Sequence, residues 1–413
     1  MAVTAVVKEQ IVSVDAKSLL ANNTAVAAAC QVVSWATAST GDVLTVQSNG
    51  TVAFAAVSAG ISGSTGSTDN LVLRSDGTGG STLQSSGWLI PDIYTSSPNA
   101  TVNHLSLQAT GSSTNVSVSI VPKGSGSFSL QVPDGTTTGG NVRGANAIDL
   151  QTDRTAATQV ADGLGAVALG RRNTASGDLS GAVAIGTGNN ARGRNSGSVA
   201  IGNGNTAGDG TQAACYVAIG STVSTTGYFS VGIGESLTVS GIGATCFGFN
   251  NTASGNYSDI AGGRDANATR HGQSSKSSGQ FSALGDCQRV AFQLRNKTTD
   301  GTTAVTLFLD GSSARLTIPS GKILSGIVEI LGSRSTGAEV ATYTRHVAIK
   351  NVGGTTTLVG TVDTIGVDTA AGTTIAITAD DTNDALQIAV TGVASQTWRW
   401  TAEFRGLELA YGT

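Results

Sequence analysis

Five near-identical pentads constrain this chain more than any other feature. They are Ala166-Val-Ala-Leu-Gly170, Ala182-Val-Ala-Ile-Gly186, Ser198-Val-Ala-Ile-Gly202, Tyr216-Val-Ala-Ile-Gly220 and Ser230-Val-Gly-Ile-Gly234. Degenerate copies close at Gly248, Gly262 and Gly285. So short a period leaves no room for a helix pair and predicts one strand-containing coil of a β-solenoid per copy. Side chains alternate along a strand, so the Val and Ile of a pentad share one side and the Ala takes the other. The branched residues are expected to stack as the repeat core: Val167, Leu169, Val183, Ile185, Val199, Ile201, Val217, Ile219, Val231 and Ile233. The small Ala is then left on the outside, where a neighbouring chain can come close. Each closing glycine permits positive φ at a corner.

Composition points the same way. Of 413 residues, 56 are glycine, charged residues make up 12% and aromatic residues 5%. Strong helix formers are scarce, whereas Thr and Val between glycine-marked turns suit strands, so the fold class is all-β. The formal charge of −4 is too weak to imply nucleic acid or an acidic membrane surface as partner. No secretion signal or membrane-spanning run is found, so no membrane insertion is expected. Cys30, Cys215, Cys246 and Cys287 lie far apart and form no metal or disulfide pattern.

The pentads resemble the head repeat of trimeric autotransporter adhesins over about residues 162–289. That resemblance implies a left-handed parallel β-roll and a homotrimer. Upstream, Ser67-Thr-Asp-Asn-Leu-Val-Leu-Arg-Ser-Asp-Gly-Thr-Gly-Gly-Ser-Thr-Leu-Gln-Ser-Ser-Gly87 and Gly41-Asp-Val-Leu-Thr-Val-Gln47 are similar to connectors of bacteriophage tail fibres. So are Val121-Pro-Lys-Gly-Ser-Gly-Ser-Phe128 and Asn141-Val-Arg-Gly-Ala-Asn-Ala-Ile-Asp-Leu-Gln151. Beyond Cys287 come eight alternating runs without a helix, with turn signals at Asp310-Gly311 and Ser320-Gly321, which suggest a β-sandwich or jelly roll. Arg315-Leu-Thr-Ile-Pro-Ser-Gly321 and Thr378-Ala-Asp-Asp-Thr-Asn-Asp-Ala385 resemble a tail-fibre C-terminal domain.

Four segments follow: a virion-attachment region at 1–60, a β-rich connector at 61–145, a β-roll shaft at 146–290 and a β-sandwich tip at 291–413. Residues 15–33 read equally as a short amphipathic helix or as strands. The tail-fibre resemblance implies a virion tail protein, made in the host cytoplasm, that attaches to host surface polysaccharide or an outer-surface protein through its tip. Its N-terminal region would hold other virion proteins. The alternative is a structural decoration protein of the capsid or baseplate.

Sites of chemistry are few. Gly186-Thr-Gly-Asn-Asn-Ala191 matches a dinucleotide fingerprint in letters, but no helix follows, so no cofactor is expected. Asp380, Asp381 and Asp384 lack calcium-loop spacing and read as a solvated turn, and no metal is expected. His104, His271 and His346 are isolated, and no enzymatic activity is expected. Trp398 and Trp400 share one strand face, with Tyr343 as a companion. They are the candidate receptor-binding residues if exposed, and core or interface residues if not.

Overall fold

The computed structural model describes residues 114–411 except 178–180, 195–196 and 212–213, together with seven strands before residue 110. Two compact units divide at Val121 and Pro122. In the first, Ser18–Ala21 pairs antiparallel with Gln31–Ser34, so the described stretches of residues 15–33 are strands. Asp42–Val46 pairs with Val52–Ala56, and Leu71–Asp76 with Thr82–Leu89.

The second unit opens as a parallel β-solenoid of about nine turns, and its described residues contain no helix. One ladder runs from Ile148–Gln151 through Val167–Arg171, Val183–Thr187, Val199–Asn203, Val217–Ser221, Val231–Glu235, Thr245–Phe249 and Asp259–Arg264 to Ser274–Ser278. Pentads stack position on position: Val167 on Val183, Ala168 on Ala184, Leu169 on Ile185. A second ladder of seven short strands, Thr174–Ser176 to Asn267–Ala268, faces the first.

The sidedness of the pentads is the reverse of the sequence expectation. Ala168, Ala184, Ala200 and Ala218 are fully buried against Ala175, Ala191 and Ala207 of the second ladder. Val167, Leu169, Val183, Ile185, Val199, Ile201, Val217, Ile219 and Val231 are half-buried on the outer face, and Ile233 is exposed. At the pentad rungs the interior faces the small side chains and Asn corners of the second ladder and is filled by Ala, so the branched residues on either side of each rung take the outer face. Larger side chains such as Val223, Leu237, Val239 and Ile260 enter the interior only at other positions or in later coils.

Asparagines close the inner corner of the coils. Asn189 Nδ2 donates to Ile185 O at 2.9 Å and to Gly202 O of the next coil at 2.8 Å, while its Oδ1 accepts from Asn205 N at 3.1 Å. Asn173, Asn205 and Asn251 repeat this arrangement, so backbone groups at the corner find partners inside a buried turn. Both ends of the stack carry buried charge. Asp149 takes the place of the rung alanine and binds Arg143 at 2.6 Å and Arg154 at 2.9 Å. At the other end Glu408 pairs with Arg270 and accepts from Gln288 at 3.1 Å. Polar end coils of this kind cap a stack that has no further repeat to bury it.

Past Ser278 the first ladder continues as an antiparallel sheet of long strands, in the order Cys287–Thr298, Trp398–Ala410, Lys322–Arg334, Val340–Val352 and Thr355–Leu358. A four-stranded sheet made of Val305–Thr306, Leu316–Thr317, Thr374–Asp380 and Ala385–Thr391 contributes to the same apolar cluster. Phe292, Leu294, Leu324, Ile388 and Phe404 lie in that cluster.

Candidate functional site

Trp398 and Trp400 do share one face, and that face is the core. Trp398 is fully buried, Trp400 is 3% exposed and Tyr343 is 4% exposed. The indoles stack with centroids 5.7 Å apart. Trp400 Nε1 donates to Thr298 Oγ1 at 3.1 Å, and Tyr343 Oη lies 2.8 Å from Thr373 O. Gly332 exists to admit the indole, because a Cβ there would lie 2.3 Å from the Trp400 ring. As receptor-binding residues all three are thus corrected to core residues, since a buried ring has no face left for a ligand.

The aspartates at 380, 381 and 384 serve the fold. Asp380 pairs with Arg315 at 3.1 Å, Asp381 accepts from Thr356 N, and Asp384 accepts from Thr356 Oγ1 at 2.7 Å. His104 lies outside the described residues. His271 packs edge-on against Tyr257, and His346 sits on the outer face of the long sheet opposite Ile327.

That outer face holds a groove open to solvent. Only residues 289–291 of the Cys287–Thr298 strand pair with a solenoid strand. From Phe292 onward the long strands extend beyond the ladder below them, so their outer face is free of it. Successive side chains on this face fall into rows across the strands. One row is Gln293, Glu403, Glu329 and Thr344; the next is Arg295, Thr401, Leu331 and Thr342. All of them except Arg295 line a cavity of about 670 Å³, open to solvent.

Two carboxylates lie directly opposite each other in this groove, since Glu329 is the register partner of Glu403. Such a like-charge pair opposes strand pairing. Arg405, one row away, offsets it by binding Glu329 and reaching Glu403 at 3.3 Å. Gln293 Nε2 donates to Thr401 Oγ1 at 3.4 Å. The groove thus offers hydroxyls, an amide and carboxylate acceptors around the apolar side chain of Leu331, which is 48% exposed. Hydroxyl-rich, partly apolar ligands such as sugars fit that combination. Sequence reading missed the site because its residues come from four strands joined only by the register.

No protein-family model matches the chain, and no curated protein matches it. Solved structures similar to it include three phage tailspike proteins. The tailspike protein of Acinetobacter phage vB_ApiP_P1 is 11% identical with a TM-score of 0.20, covering 66% of this chain and 58% of that one. Tailspike protein gp49 of Acinetobacter baumannii bacteriophage Fri1, named a capsular polysaccharide depolymerase, is 10% identical with a TM-score of 0.22, covering 69% and 44%. The Acinetobacter baumannii phage AM24 tailspike is 10% identical with a TM-score of 0.21, covering 67% and 51%. The chain therefore spans between 44% and 58% of the length of these proteins. A depolymerase among them overturns one expectation, the exclusion of enzymatic activity, which is withdrawn.

Proposed function

We propose that this chain is a bacteriophage tail fibre or tailspike protein, a homotrimer that attaches the particle to host surface polysaccharide through the groove on its terminal sheet. The observation that carries this reading is the division of one continuous sheet face. Over the solenoid that face is a ladder of half-exposed Val and Ile, a surface that needs covering. Over the extension it carries a groove with polar rows beside exposed apolar residues such as Leu407 and Leu409. Three copies joined along the ladder would make a shaft and present three grooves, and linked weak sites gain avidity without new contacts. The tail-fibre-like segments at 41–47, 67–87, 121–128 and 141–151 support the phage assignment and a virion-attachment role for residues 1–60. The left-handed β-roll, the trimer and a tip formed by residues 291–413 belong to this same proposal.

Two measurements on purified protein test it. Sedimentation velocity is expected to give an elongated species of three times the 41.0 kDa chain mass. Labelled protein is expected to bind encapsulated cells and not their capsule-stripped counterparts, and Thr342→Trp, which fills the groove, is expected to abolish that binding. A compact monomer, or binding indifferent to both capsule and Thr342→Trp, overturns the reading. Measuring polysaccharide chain length in the same incubation reports whether binding is accompanied by cleavage.

A further inference from the structure

Beyond the groove's two rows lies a third, in which Lys297 of one strand stands directly opposite Arg399 of the next, with Ser333 on the far side. Both cations are exposed. Among the described residues neither head group has an ion-pair or hydrogen-bond partner; Lys297 takes part only through its backbone N–H, which donates to Asn296 Oδ1. The same sheet thus meets two like-charge pairs in opposite ways. Glu329 and Glu403 are given Arg405 between them. Lys297 and Arg399 are given nothing, although their repulsion costs the sheet in the same manner. Arg295, in the intervening row, adds a third positive charge, its Nη2 donating to Asp310 O at 2.8 Å.

We propose that Lys297 and Arg399 form the anion-binding end of the groove, and that its ligand is an acidic polysaccharide bearing sugar carboxylates. This rests on the glycan-binding reading of the groove and specifies the glycan. The cation row and the carboxylate row are four residues apart, which is about 13 Å along the strands. A short stretch of polysaccharide laid along the strands spans that distance. One sugar carboxylate meets the two cations, and the hydroxyls of the following sugars meet Thr401, Thr342, Gln293 and the two glutamates. The arrangement is directional: carboxylates at the Glu329 and Glu403 end are repelled, so the spacing of acidic sugars along the polymer decides the fit.

The probes are fragments of uronic-acid-containing bacterial capsular polysaccharides and their carboxyl-reduced counterparts, which keep the skeleton and lose the charge. The full chain is expected to bind acidic fragments about tenfold or more tightly than the reduced forms, with a preference that weakens as salt is added. In Lys297→Gln/Arg399→Gln the preference is expected to vanish while residual binding matches the reduced form. The exchange Lys297→Arg/Arg399→Lys is expected to keep it, and losing it there would trace the effect to packing and overturn the proposal. Equal affinity for acidic and reduced fragments overturns the acidic specificity and leaves glycan binding standing. Binding to no fragment of either kind, with Thr342→Trp equally silent, overturns both.

Discussion

Gly232 shows how closely the interior of a coil is fitted. Four pentads carry Ala at this rung, and the fifth cannot. A Cβ at 232 would lie 2.7 Å from Val223 Cγ1 and 3.1 Å from both Thr225 Cγ2 and Val239 Cγ2. The facing positions in earlier coils are Asn or Ala, so the glycine offsets larger partners. Gly232→Val is expected to destabilise the solenoid by about 1–3 kcal/mol, read as a lower melting temperature. Adding Val239→Ala is expected to recover part of the loss, and full additivity of the two changes would show that they do not share the space. In the next coil the rung is Cys246, whose thiol burial pushes up to about 12, which makes it a packing residue. The glycines that end the pentads answer a different demand: Gly220 has a φ of 133°, and a Cβ there would lie 1.8 Å from Gly234 O.

At the scale of the strand, the pentad works on both sides, its Ala joining the two ladders of one coil and its Val and Ile forming a stripe on the outside. Ile201→Asp discriminates between the two sides. In a core it would leave an unpaired buried charge and unfold the coil. On the half-exposed face the charge stays hydrated, so the chain is expected to keep its β circular dichroism and lose its assembly by sedimentation. An unfolded variant would return Ile201 to the core, and an intact trimer would remove the ladder from the interface.

For the whole molecule, turns tied by aspartates predict acid lability. Backbone N–H groups of Ser313, Ser312 and Ala314 hold the Asp310 carboxyl well below the ordinary carboxylate range. Those of Thr303 and Thr302 lower Asp300, the Arg345 hydrogen bond lowers Asp368, and the Arg171 hydrogen bond lowers Asp153. Groups whose folded pKa is depressed add stability that is complete above their ordinary value, 3.8, begins to fall as pH drops below it and is gone once pH has fallen through the lower folded value. The melting temperature is therefore expected to be flat from neutrality to about pH 5 and to drop below pH 4. A curve that stays flat through that range would show that these turns contribute nothing to global stability.

The repeat spacing by itself determined that this chain coils, because only a short parallel strand with a glycine corner satisfies that period. Alternation likewise put Trp398 and Trp400 on one face and Val and Ile of each pentad on another. What alternation cannot supply is which face is inside. Tertiary structure decided that: the rung alanines face the second ladder inside the coil, whereas the inner face of the long sheet packs two indoles into its apolar cluster. It also made the groove, since Glu329, Glu403 and Arg405 meet only when strands distant in sequence pair in one register. No local pattern records that register, which is set by packing of the opposite, apolar face.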